Sequence, residues 1–144
     1  MRPFLHAVLL ALLAVAMLPT AQASPADRVH VVYHVDAGIE QATAALRNIR
    51  NQLEVDPEAA IVVVGIGDGV DFMLRGSKTK GGYPFDLMIE ELQGQGVLFE
   101  ACGNTLGTRK IDAKRLVEGV VVVRSGMAEL ARLQVRDGYA YIKP

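Results

Sequence analysis

The stretch VHVVYHVDAGIEQATAALRNIRNQLEVDPEAAIVVVGI (residues 29–66) holds two apolar runs with a periodic segment between them. The runs at 29–35 and 60–66 are rich in β-branched residues and apolar on both faces, which is typical of strands in a covered parallel sheet. In the segment between them, Asp36 is placed to cap a helix, and apolar residues recur at helical spacing. These periodic residues are Ile39, Ala42, Leu46, Ile49 and Leu53. The order strand, helix, strand predicts a βαβ unit and hence a parallel sheet.

The same alternation continues to the end of the chain. A glycine-rich corner (GIGDG, 65–69) follows the second strand, and RGSKTKGG (75–82) is predicted to be a mobile loop. Further helices are predicted at 84–92 and 125–134, and further strands at 97–101, 120–123 and 139–142. We therefore predict one α/β domain over residues 24–144, with three α/β/α layers and a mostly parallel sheet of about five strands.

Residues 1–23 have the three parts of a secretory signal peptide. A positive start is followed by a nearly continuous apolar run at 4–18, and AQA (21–23) is a small-residue cleavage site. The run of about 15 residues is shorter than the ~20 that span a bilayer. We expect the chain to be exported, to begin at Ser24 after cleavage, and to be periplasmic in a bacterium, with no membrane attachment.

Composition and motifs narrow the classes of partner and cofactor. The 144 residues carry 16 acidic and 15 basic side chains, so no overall basic field exists to hold a nucleic-acid backbone. The chain has neither an HExxH motif nor a cysteine pair, and GIGDG matches no phosphate-binding glycine motif. We therefore expect no nucleic acid, no metal and no nucleotide cofactor, and we assign the glycines at 65–69 to a tight turn.

The single cysteine, Cys102, lies at the carboxyl end of the third predicted strand, directly after Ala101. Exported proteins usually carry cysteines in pairs, and a leftover thiol indicates intermolecular pairing or a reactive group. If a helix starts after Cys102, its backbone N–H groups would lower the pKa of the thiol and make it a nucleophile or sulfur carrier. The alternative is a buried cysteine that acts as a small apolar residue.

Other candidate residues follow the predicted strands, where open α/β sheets bind their ligands. They are His34 and Asp36, Asp68 in the glycine corner, Asn104 and Thr105 beside Cys102, and Arg124 and Ser125. If the first and third strands are neighbours, His34 would face the thiolate and pair with it. His30, farther from the strand end, fits a position in or beside the core.

Two groups of basic residues have two interpretations each. Arg75, Lys78 and Lys80 lie on the predicted loop, and Arg109 and Lys110 come shortly after the cysteine. Either group could attract an anionic substrate or partner if it folds over the strand ends. The alternative, which we favour for the loop, is a solvated surface.

Three segments together resemble the DsrE/DsrF-like family, in particular its exported single-domain members. They are VVYHVD (31–36), ACGNTL (101–106) and VVVVRSGMAELARLQVRDGYAYIKP (120–144). The resemblance implies a three-layer α/β domain, frequent oligomerisation and a role near sulfur metabolism. It also implies that Cys102, in the matching motif, accepts a persulfide and passes it on, with Asn104 and Thr105 as local structure around the thiol.

Two functional hypotheses follow. The first is an exported sulfur carrier acting through a Cys102 persulfide, whose thiolate is stabilised by N–H groups near Gly103 and Asn104 with His34 as a neighbour. Its partners would be thiol or persulfide donor and acceptor proteins. The alternative is a non-catalytic ligand- or partner-binding module with a buried structural cysteine. In either case the edge strand YAYIK (139–143) favours a homo-oligomer that covers it.

Overall fold

The computed structural model describes residues 28–144, so the predicted signal peptide lies outside the described residues. The strands are β1 (His30–Val35), β2 (Ala60–Gly65), β3 (Leu98–Cys102), β4 (Val121–Val123) and β5 (Ala140–Ile142). The α-helices are α1 (Ile39–Val55), α2 (Phe85–Gly94), α3 (Gly103–Thr108) and α4 (Gly126–Val135), with 3₁₀ helices at Gly67–Met73 and Ala113–Arg115.

The five strands form one sheet in the order β4-β3-β2-β1-β5, and every pair is parallel. This confirms the predicted α/β fold and the βαβ unit formed by β1, α1 and β2. The carboxyl ends of all five strands therefore lie at one edge of the sheet.

Alternate residues of the central strands build two cores, one on each face. Val31, Tyr33 and Val63 pack with α1, α2 and the first 3₁₀ helix in the larger core. Val32 and Val64 pack against α4 in the smaller one. Each fully buried aliphatic side chain contributes about 1.5–3 kcal/mol, so both faces stabilise the sheet. The three layers are those predicted from the two-sided apolar strands.

The start of α1 differs from the prediction that Asp36 caps it. The N-cap residue is Gly38, with φ 81°, and no side chain caps the helix. Asp36 lies two residues before this N-cap residue, and its carboxylate accepts from Lys143 Nζ at 2.6 Å. The Gln41 side chain instead accepts from the backbone N–H groups of residues 36 and 37, each at 2.7 Å.

The glycine corner is a site of close backbone approach. A Cβ atom on Gly69 would lie 1.9 Å from the Val35 carbonyl oxygen, and Gly67 has φ 57°. Gly69 therefore leaves no room for a side chain, and the left-handed backbone at Gly67 favours glycine. The corner is the tight turn that we predicted. Within it, the first 3₁₀ helix packs closely against the backbone at the end of β1.

Candidate functional site

Cys102 lies where three elements meet at the carboxyl edge of the sheet. It is the last residue of β3 and the N-cap residue of α3. The first residue of α4, Gly126, donates its backbone N–H to Cys102 Sγ at 3.2 Å. The thiol therefore lies at the N-terminal ends of two helices, where unpaired N–H groups favour negative charge.

The pKa of the Cys102 thiol is set by two opposing effects. Burial raises the pKa, but hydrogen bonds from the Gly126 amide, the Thr105 hydroxyl and amide and the Asn104 amide lower it, and the net pKa lies below the ordinary value. Hydrogen bonding that favours the thiolate outweighs desolvation. The thiolate fraction at neutral pH is therefore larger than for an ordinary cysteine.

Gly126 is at a position that only glycine fits without displacement of its neighbours. A Cβ atom there would lie 2.6 Å from Ile66 Cγ1 and 3.1 Å from Cys102 Cβ. The missing side chain lets the start of α4 come within hydrogen-bonding distance of the sulfur. The sequence predicted Ser125 as a candidate but not Gly126, and Ser125 caps the helix by accepting from the Ala128 N–H at 3.4 Å. The signal that could have revealed this contact is a glycine at the first position of the helix that follows β4, the strand that pairs with β3.

A cavity of about 290 Å³ lies over the thiol. Its lining residues are Ile66, Gly67, Cys102, Asn104, Thr105, Thr108, Arg109, Ser125 and Met127. Cys102 is only 3% exposed, whereas Met127 is 62% exposed. The nearly buried Cys102 thus borders a cavity whose volume is several times the ~30 Å³ share of one water molecule.

Arg109 holds the glycine corner against α3. Its guanidinium donates to the Gly67 carbonyl at 2.9 Å and to Asp71 Oδ1 at 2.7 Å. Thr105 Oγ1 accepts from the Gly67 N–H at 3.0 Å, which ties the same corner to the residue beside the thiol. The charge of Arg109 is therefore largely compensated. Its role at the cavity is to hold in place the part of the lining that Gly67 forms.

Other members of the predicted site contribute differently. Asn104 and Thr105 supply amides that lower the pKa of the thiol, as expected for N–H groups near this point of the chain. Gly103 permits close packing, since a Cβ there would lie 2.9 Å from the Val123 carbonyl oxygen. A contribution of the Gly103 amide to the thiolate stays a prediction.

The expectation that His34 faces Cys102 is wrong. It required β1 and β3 to be neighbours, but β2 lies between them. His34 Nδ1 instead lies 2.7 Å from the Tyr141 hydroxyl, and Nε2 lies 3.8 Å from Asp36 Oδ2. Burial lowers the pKa of His34, Asp36 partly opposes this, and Lys143 adds to it. This polar cluster belongs to the β1 and β5 side of the edge.

The remaining candidates lie away from the thiol cavity. His30 is half-buried, with its ring 5.0 Å from that of Tyr139, which agrees with a position beside the core. On the loop, Arg75 Nε donates to the Leu116 carbonyl at 2.9 Å, and Lys80 pairs with Glu40. These basic side chains do not line the cavity over Cys102.

Residues 28–144 contain neither a group of side chains suited to a metal ion nor a helix suited to cross a membrane. No three His, Cys, Asp or Glu side chains in this part of the chain are grouped so that they could hold a metal ion. No helix within the same range has the length and apolar character needed to cross a membrane.

The fold and the site define an α/β protein whose one thiol, with a lowered pKa, lies at the carboxyl edge of a parallel sheet. The model of the DsrE/DsrF-like family matches residues 27–144. The chain therefore belongs to the DsrE/DsrF-like family, as its sequence segments indicated, and membership supports a sulfur-related function.

The solved structures that are similar to this chain include the following two. The protein of unknown function MTH1491 from Methanobacterium thermoautotrophicum shares 34% identity with a TM-score of 0.71, covering 81% of this chain and 99% of that one. The ychN protein from E. coli shares 24% identity with a TM-score of 0.65, over 81% and 98% of the two chains. The second likeness concerns the fold alone. No curated protein sequence matches the chain.

Proposed function

We propose that this protein is a sulfur carrier in which Cys102 holds the transferred sulfur as a persulfide. The observation that carries the proposal is the 3.2 Å hydrogen bond from the Gly126 amide to Sγ, at a thiol whose pKa is lowered. A lowered pKa supplies the thiolate that sulfur transfer requires. The cavity over Sγ provides room for one further sulfur atom.

The transfer consists of two displacements at sulfur. The Cys102 thiolate attacks the outer sulfur of a donor persulfide, a new S–S bond forms, the donor's S–S bond breaks, and the donor leaves as a thiolate. An acceptor thiolate then attacks the outer sulfur on Cys102 and releases the Cys102 thiolate. Each step exchanges one S–S bond for another, so neither needs an external oxidant or reductant.

Intact mass measures this activity directly. Purified protein is incubated with polysulfide, and the mass gain of one sulfur atom is expected for the wild type and absent for Cys102→Ser. A second variant, Thr105→Val, removes the hydroxyl that lowers the pKa of the thiol. It should shift the pH dependence of thiol alkylation to higher pH, whereas Thr108→Val, also at the cavity, serves as the matched control. A wild type that gains no sulfur contradicts the proposal.

The second candidate is a non-catalytic binding module with a structural cysteine, and it is favoured by the 3% exposure of Cys102. The two candidates differ in thiol reactivity. A carrier reacts in the folded state with a small reagent that enters the cavity, at a rate that follows the thiolate fraction. A structural cysteine reacts only after unfolding, or at the rate of transient opening. Labelling with and without urea therefore separates them.

We also propose that the carrier works outside the cytoplasm, which rests on the signal-peptide features of residues 1–23. Expression of the full chain in a bacterial host tests this. The expected result is a periplasmic protein whose mass corresponds to a chain beginning at Ser24, and an uncleaved cytoplasmic product contradicts it.

A homo-oligomer is the proposed assembly. Both outer strands, β4 and β5, carry exposed apolar side chains, with Val121 55% and Tyr141 43% exposed. Uncovered strand edges are sites of association between chains. Light scattering after size exclusion should give a molar mass above that of one chain, and a monomer at micromolar concentration would contradict the assembly.

A further inference from the structure

A groove of about 580 Å³ runs along the side of α4 that faces away from the sheet. Part of its floor is formed by the exposed residues Ala128, Ala131 and Val135, of which Val135 is 85% exposed. Ser125 lines both this groove and the cavity over Cys102. A segment bound along α4 would therefore end beside the thiol.

The walls of the groove are positively charged. Arg124, Arg132 and Arg136 line it, and Glu129 is the one acidic residue among its lining. Arg132 is compensated, because it pairs with Glu129 and with Asp137. Arg124 and Arg136 have no ion-pair partner among residues 28–144. Two uncompensated cations thus flank α4, which is ten residues or about 15 Å long.

We propose that this groove binds an acidic segment of the thiol protein that exchanges sulfur with Cys102. The proposal rests on the carrier function above and adds the chemistry of the partner. Carboxylates of the segment pair with Arg124 and Arg136, while its apolar side chains lie on the alanines and Val135. A donor of low molecular weight would need only the smaller cavity over the thiol and would leave this groove empty.

Activated peptides test the proposal. Three synthetic peptides of equal length, with acidic, neutral or basic residues beside one cysteine, are prepared as 2-thiopyridyl mixed disulfides. The Cys102 thiolate attacks the peptide sulfur, the S–S bond breaks and pyridine-2-thione leaves, so its absorbance reports the rate. Dithiodipyridine, a small neutral disulfide, measures the reactivity of the thiol itself, and each peptide rate is divided by this rate for the same protein.

The acidic peptide should react about tenfold faster than the neutral one at low salt, and this advantage should shrink as ionic strength rises. In the double variant Arg124→Gln/Arg136→Gln the normalised acidic rate should fall by about tenfold. The control Arg47→Gln/Arg115→Gln makes the same change in net charge at exposed residues outside the groove and should keep the advantage.

The possible outcomes separate a failure of the docking proposal from a failure of the carrier function. If Cys102 gains sulfur from polysulfide but acidic and neutral peptides react alike, the docking proposal is overturned and the carrier function stands. If both double variants lose the advantage equally, net charge rather than the groove is responsible, and the proposal is overturned. The docking proposal is also overturned if the Arg124→Gln/Arg136→Gln variant has a different molar mass in solution from the wild type. The groove would then be a contact between copies of this chain. A folded protein that does not react with dithiodipyridine overturns both proposals.

Discussion

We predict that the ionised Glu100 side chain lowers the free energy of unfolding at neutral pH, and that its replacement by glutamine reverses this effect. The carboxyl group lies on β3, and its Oε2 atom is buried without a hydrogen-bond partner. Burial and the nearby Glu129 raise the pKa from 4.5 to about 7, while Arg132 partly opposes them. At about 1.36 kcal/mol for each unit of pKa the ionisation penalty would be near 3 kcal/mol. Solvent screening of a half-buried group reduces the expected value to about 1–2 kcal/mol.

The sign of the pH dependence follows from the raised pKa. The folded state binds the Glu100 proton more tightly than the unfolded state, so stability is fully present below the unfolded pKa of 4.5 and is lost as pH rises towards 7. Glu100→Gln should therefore match the wild type near pH ~4.5 and exceed it by about 1–2 kcal/mol at pH ~8. Urea unfolding at both pH values measures the difference. A free-energy difference that does not change with pH would refute the reasoning, and Glu90→Gln on the exposed side of α2 is the control.

The remaining predictions concern two glycines and a histidine. Gly69→Ala places a Cβ atom 1.9 Å from the Val35 carbonyl oxygen. It should lower the free energy of unfolding, measured with urea, by more than about 4 kcal/mol. A decrease of less than about 1 kcal/mol would contradict the close backbone approach at Gly69. In Gly126→Ala the new Cβ atom clashes with Ile66, which should lower the free energy of unfolding by about 1–3 kcal/mol. The same change should slow alkylation of the thiol at neutral pH. An unchanged alkylation rate would contradict the role of the Gly126 amide in stabilising the thiolate. Burial lowers the pKa of His34 below 6.5, so its stabilising contribution is lost as pH falls below that value, and the stability of His34→Gln relative to wild type should improve on acidification in thermal unfolding.

The layers and the parallel sheet could be predicted because they depend on local patterns. The runs at 29–35 and 60–66 are apolar on both faces, which requires helices on both sides of the strands. The helical spacing of apolar residues between the two runs then predicts α1. A helix that connects two strands of one sheet in this way joins parallel strands. The observed strand bounds lie close to the predicted ones, since β2 begins at Ala60 and β3 ends at Cys102. These conclusions needed no knowledge of contacts between distant segments.

The surroundings of the thiol could be predicted only in part, because they depend on strand order. The sequence places Cys102 at the carboxyl edge, but which other strand ends lie beside it follows from packing along the whole sheet. Gly126 reaches the sulfur because β4 pairs with β3. His34 does not, because β2 intervenes. Asp36 likewise meets Lys143 because β5 pairs with β1, a contact between opposite ends of the domain.

The strand order divides the polar residues at the carboxyl edge into two groups, and this bears on how the thiol is activated. The histidine, with Tyr141 and Lys143, belongs to the β1 and β5 side. Cys102 on β3 has amides and a hydroxyl as its stabilising partners. A histidine beside a thiol would stabilise the thiolate by taking up its proton and becoming a charged imidazolium, so that activation would depend on the protonation state of the histidine. Amide hydrogen bonds stabilise the thiolate without a second titrating group, which suits the proposed carrier, in which one sulfur atom accepts and releases sulfur by the same displacement in both directions.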